Sequence, residues 1–234
     1  MNKISLKFSI DTCLSNGDRL LADALFLEFL EPPASAYALA IISQEEFAKA
    51  FLLALVYKEL ISWNKYIWRA SRDHTCKQLL VMIMDYINPD DDEWDKLMQK
   101  IVDGEILDRK LPPHVADAIN ILRHEKISKW ESRSWVWLET PEYDSLAKQT
   151  SEGLVDRRKQ DQLYTDLSKD GSVITKAQIT ADQFYIERDR AERLARVVKS
   201  LIEDDARPYY RYQKIADSFD HIFKTIGKDN KPEF

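Results

Sequence analysis

Three side chains able to hold a phosphate or move a proton fall in one short stretch, Arg72-Asp73-His74-Thr75-Cys76-Lys77. An arginine grips phosphate with two parallel N–H donors, and a lysine supplies a compact point charge. Histidine exchanges a proton near neutral pH. About 25 residues earlier, Glu45, Glu46 and Lys49 lie inside the run ASAYALAIISQEEFAKAFLLALVY at 34–57. On a helix these three charges share one arc of about 100° with Ile42, Leu53 and Val56, so they interrupt an apolar stripe. A helix apolar on all sides is expected to be buried. Buried charges must then be paired or border a cavity. The residues leave two readings open: an internal ion pair one turn apart, or one wall of a site.

Arg69 and His74 also match the arginine-then-histidine spacing of one class of helical RNA-cleaving proteins. Arg109 and His114 match it as well, and chance alone supplies roughly 0.7 such pairs in a chain of this composition. None of the four histidines pairs with another at helical ligand spacing, and Cys13 and Cys76 form no metal motif. No metal site and no cofactor are therefore expected. Hydrolase-elbow, phosphate-loop and dinucleotide glycine motifs are missing from the sequence. The acidic run Asp90 to Glu93 reads as the charged start of a helix. Arg157-Arg158-Lys159 reads as a solvated loop. Arg190, Arg193, Arg196 and Lys199, diluted by Glu187, Asp189 and Glu192, read as a solvated helix face.

The elements that must position these groups are mostly helical. With 5 glycines and 8 prolines in 234 residues, turn-rich β architecture is disfavoured. Helices are expected at about 9–30 and 34–63, broken by Pro32-Pro33 and paired as an antiparallel hairpin. Another begins near Asp73 and stops at Asn88-Pro89. A further one covers HVADAINILRHEKI, with Val115, Ile119 and Leu122 on one face. Trp130, Trp135 and Trp137 read as packing material. Residues 138–162 read as loop and short helix, followed by a small β-hairpin at about 162–175 turning at Asp170-Gly171. Thr180 and Gln183 make a capping box for a helix that turns Leu194, Val197, Val198, Leu201 and Ile202 inward. The expected organisation is one domain over 1–206, with a helix and tail at 207–234. The first residues lack a signal-peptide pattern, and charges in the middle of the 34–57 run oppose membrane insertion. A soluble cytoplasmic protein is expected. Its net charge of −6 argues against a general polyanion-binding surface.

The order Ser43-Gln44-Glu45-Glu46-Phe47-Ala48-Lys49, then Arg72-x-His74-x-x-Lys77, then Leu163-Tyr164-Thr165-Asp166, resembles the AbiV group of abortive-infection proteins. That group sits with the HEPN-like all-helical domains of prokaryotic defence systems. The resemblance implies a mainly all-α, HEPN-like bundle, phage defence by arrest of the infected cell, homodimers, and in some relatives metal-independent endoribonuclease activity. Two functions follow for the same residues. In one, His74, Arg72 and Arg69 are catalytic on RNA, Glu46 and Lys49 orient His74, Arg72 and Lys77 hold phosphate, and Glu45, Glu46, Lys49, Lys77, Tyr164 and Asp166 form a substrate-binding polar cluster. In the other, the cluster is a structural lock and the protein acts without catalysis by binding a phage or host protein.

Overall fold

The computed structural model describes residues 2–30, 32–88, 95–96, 98–99, 102–103, 111–131, 141–203 and 215. The acidic run at 90–93, Trp135, Trp137 and the expected last helix, apart from Ile215, lie outside them.

Two long helices, α1 (Lys3–Phe26) and α2 (Ala34–Tyr57), form the expected antiparallel hairpin. Helix α2 is the axis of the fold. Helix α1 covers one side of it, α9 (Ala181–Glu203) a second, and α4 (His74–Ile87) and α8 (Leu154–Leu163) the remainder. That environment explains its composition, since 17 of its 24 residues are buried. Shorter helices complete the bundle: α3 (Lys65–Ala70), α5 (Pro113–Ile121), α6 (Ser128–Glu131) and α7 (Ser145–Ser151). A π-helical turn, Leu122–Ile127, joins α5 to α6. Val115, Ile119 and Leu122 are buried, as their spacing implies.

The α1–α2 seam depends on small residues. The Ser43 hydroxyl donates to the Gly17 carbonyl at 2.8 Å. A methyl group on Gly17 would enter the van der Waals envelope of the Phe47 ring, which is itself fully buried. Gly17→Ala is expected to destabilise the protein by about 1–3 kcal/mol through overpacking. That outweighs the roughly 1 kcal/mol of helix propensity that alanine gains over glycine. A fall in the urea midpoint at unchanged slope is the readout.

Helix α2 stops at Tyr57 rather than near residue 63. Glu59 adopts φ +62°, and Leu60 N–H donates to the Leu55 carbonyl at 3.0 Å. This is a Schellman stop with glutamate where glycine is usual, and the Glu59 side chain meets Lys3 at 2.8 Å. The capping box closes as expected: Thr180 N–H donates to Gln183 Oε1 at 3.0 Å, and Gln183 N–H to Thr180 Oγ1 at 3.3 Å. The expected β-hairpin reduces to a single antiparallel bridge, Leu167 to Val173, around Gly171 at φ +83°. Leu167, Val173 and Ile174 are all exposed, so these short segments have no face on which to build a sheet.

Candidate functional site

Glu45 lies at mid-length of α2 and only 2% of its side chain is exposed. Two elements converge on its carboxylate. From α4, Lys77 Nζ reaches Oε2 at 2.9 Å and the Gln78 amide donates to Oε1 at 3.2 Å. From α8, Lys159 Nζ reaches Oε1 at 2.8 Å. At the first residue of α4, His74 places Nδ1 2.6 Å from Oε2. Asp73 sets that start by accepting the Cys76 N–H at 2.8 Å as N-cap. Asp156, one turn before Lys159, pairs with it at 2.7 Å.

The charges explain how such a cluster survives burial. Glu45 and Asp156 against Lys77 and Lys159 sum to zero when the His74 ring is neutral. Burial by itself pushes the Glu45 carboxyl up, but the Lys77 and Lys159 ammoniums outweigh it and hold it below the usual carboxylate range. Burial likewise pulls Lys159 down, while its bonds to Asp156 and Glu45 raise it above the ordinary lysine range. The sign of the pH dependence follows. The Glu45 contribution is present above its unfolded pKa and is lost as pH falls through the depressed native value. The Lys159 contribution is present below its unfolded pKa and is lost as pH rises through the elevated one. Urea midpoints are expected to be flat between these limits and to fall below the ordinary carboxylate range.

His74 differs from the rest because its side chain is 54% exposed. An ionised carboxylate only accepts, so the short contact with Glu45 puts a hydrogen on Nδ1. In the neutral ring Nε2 then carries the lone pair. The ring is thus held by a buried anion on one edge and open on the other, the arrangement that suits an imidazole to proton transfer.

Glu45, His74 and Asp156 each present a ligand atom within 4.8 Å of the others, close enough for a shared cation. Lys159 Nζ already occupies that place, 2.8 Å from Glu45, 2.7 Å from Asp156 and 3.3 Å from His74 Nδ1. A divalent ion there would meet an ammonium whose charge is reinforced by both carboxylates, so this donor set does not suit a metal.

The structure therefore brings together Glu45, His74 and Lys77 of the residues singled out from sequence. It sends the others elsewhere. Glu46 and Lys49 pair with each other at 2.5 Å on the side of α2 that faces Cys13 of α1, and they do not touch His74. The 100° between Glu45 and Glu46 divides the charged arc between two interfaces. Tyr164 is exposed, and its carbonyl accepts from Lys176 Nζ at 2.8 Å. Asp166 and Asp161 pair with the same lysine at 2.9 and 3.1 Å, so this knot ties the 164–176 turn to α8. Arg69 and Arg72 lie at the tight α3–α4 corner. Their guanidiniums stand 5.9 Å from the Trp130 ring centre and 5.0 Å from that of Trp68.

Asp156, Lys159 and Gln78 are the members the sequence reading missed. The signal available is the i,i+3 pair Asp156-x-x-Lys159, but the polar composition of LVDRRKQDQL resembles a solvated loop more than the helix it forms. The basic face of α9 is corrected in part: Arg196 and Lys199 are exposed as expected, whereas Arg190 and Arg193 turn inward. Arg190 Nε and Arg193 Nη2 reach Asp85 of α4 at 2.6 and 3.3 Å, while Arg190 also pairs with Glu187 at 2.7 Å. The Gln44 amide donates to that glutamate at 2.9 Å, which fixes α9 to α2.

No helix among the described residues is long and apolar enough to cross a membrane. No match to this chain is found among curated proteins or among solved structures. The family model HEPN_AbiV, described as AbiV, matches residues 6–196, which include most of α1, all of α2–α8 and the whole Glu45–His74 cluster. With that match covering most of its length, the chain belongs to the AbiV family of HEPN-like proteins.

Proposed function

We infer that the protein takes part in abortive-infection antiviral defence, as the AbiV family implies. We propose that this protein arrests the infected cell by acting on RNA, with His74 as the proton-transferring group. One observation carries the reading: a half-exposed imidazole whose Nδ1 is fixed by a buried, charge-balanced carboxylate. Chemistry without a metal would use the RNA's own 2′-hydroxyl as nucleophile. His74 Nε2 takes the hydroxyl proton as the 2′-oxygen bonds to phosphorus, the bond to the 5′-oxygen breaks, and that oxygen is protonated from water. The products are a 2′,3′-cyclic phosphate and a 5′-hydroxyl end. Arg69 and Arg72 stand at the same corner, and a guanidinium stacked on a ring keeps its N–H edge available for phosphate.

The test is mapping of RNA ends in phage-infected cells that carry the protein. New 5′-hydroxyl ends that vanish together with protection in His74→Ala cells are the expected result. Intact RNA during full protection would overturn the reading. The burial of Lys77 and Lys159 beside Glu45 favours a second reading, a lock between α2, α4 and α8 in a protein that works by binding a phage or host protein. In that case His74→Ala affects protection only as far as it affects folding.

A further inference from the structure

The α3–α4 corner carries an exposed aromatic and a local excess of cations that the His74 cluster does not use. Trp68 is 47% exposed, although tryptophan is ordinarily well buried on average. Arg72 stacks on it, and Arg69 stacks on the partly buried Trp130. Residues 65–77 hold four lysines and arginines against one aspartate in a chain of net charge −6. Of the four, Lys77 is engaged by Glu45, which leaves Lys65, Arg69 and Arg72 facing outward.

We propose that this corner is a binding platform for single-stranded RNA, on which Trp68 stacks a base while Arg69 and Arg72 hold the flanking phosphates. The proposal rests on the RNA-directed reading of His74 and supplies the class of substrate. Arg72 lies over the indole, and the ring keeps enough exposed surface for a base to stack against it. A single strand can splay its bases onto such a ring, whereas a duplex keeps them stacked inside and presents only backbone. The hydrogen bonds Arg72 N–H to Arg69 O and Asp73 N–H to Arg69 O, both 3.0 Å, fold this corner tightly. Trp68 and His74, six residues apart across it, therefore lie within a few nucleotides of one another. Arginine and tryptophan are also common at protein interfaces. The concentration of positive charge on an otherwise acidic chain selects the nucleic acid.

The experiment measures binding of a labelled, mixed-sequence 20-nucleotide RNA by fluorescence anisotropy in EDTA. The full chain carries His74→Ala, so that binding is read apart from cleavage. Trp68→Ala is expected to weaken binding by roughly 5- to 100-fold, with Trp68→Phe close to the parent. Arg72→Ala is expected to reduce the salt slope by about 0.7. A 20-base-pair RNA duplex should bind more weakly and with no dependence on Trp68. Melting temperatures of the variants should stay near the parent's, because about half of Trp68 is exposed and Arg72 is a surface residue. Equal binding by Trp68→Ala, duplex binding as tight as single-strand binding, or no RNA binding at all each overturns the platform. So does loss of a captured phage or host protein with Trp68→Ala at unchanged RNA affinity. RNA binding together with absent cleavage by the chain that retains His74 refutes the catalytic role of His74 and leaves the platform standing. Cleavage whose KM ignores Trp68 does the reverse.

Discussion

Glu45→Ala is expected to cost about 3–5 kcal/mol, the largest stability loss of any single substitution at the cluster. The carboxylate balances two ammoniums whose side chains are only 7% and 6% exposed. Lys159 would keep Asp156, but Lys77 would be left in the interior without an ion-pair partner among the described residues. The cost is therefore one of orphaned charge more than of lost attraction. Adding Lys77→Met to Glu45→Ala removes the worse orphan and is expected to recover a good part of the loss. Denaturant unfolding of the single and double variants checks both statements. If Lys77→Met makes the Glu45→Ala protein still less stable, the charge-balance account of the cluster fails.

His74→Ala is expected to do the opposite, leaving stability nearly intact while removing function. Without the ring, Glu45 Oε2 keeps Lys77 and Oε1 keeps Lys159 and Gln78, so no buried oxygen is abandoned. The loss should stay near or below about 1 kcal/mol, the net worth of an ordinary hydrogen bond. General acid–base catalysis contributes about 10²- to 10⁴-fold to a rate. A fall of that size in RNA cleavage, on a protein that melts close to the wild type, separates chemistry from structure. His74→Gln should behave like alanine in activity, since an amide cannot take up the proton.

Most of the helical frame could be read from the chain because its signals are local. The all-round apolar run at 34–57, the proline break before it, Asp73 as a cap and the Thr180–Gln183 box each act within one or two turns. What escaped reading depends on partners distant in sequence. Helix α8, LVDRRKQDQL, has too few apolar residues to show a stripe. It is held instead by Lys159 reaching across to Glu45 and by the small apolar group of Val155, Tyr37, Ile41 and Ile179. The same cause hid Arg190 and Arg193, whose partner Asp85 lies more than 100 residues away. Helix α2 ends early because Glu59 adopts a conformation in which glycine is the usual resident, and that gave no compositional warning. At the site, spacing singled out Glu45, His74 and Lys77. It could not tell which of two adjacent glutamates turns toward α4, since 100° of rotation decides it.

The central claim is that the Glu45–His74 pair performs chemistry as well as holding helices together. Its most direct test is the rate of single-stranded RNA cleavage in EDTA, with melting temperature measured on the same preparations of wild type and His74→Ala. The account predicts cleavage by the wild type that leaves 2′,3′-cyclic phosphate ends. It further predicts a loss of at least about 100-fold in the variant, with little change in melting. A variant that cuts at the wild-type rate, or loses cutting only in proportion to its unfolded fraction, would contradict it.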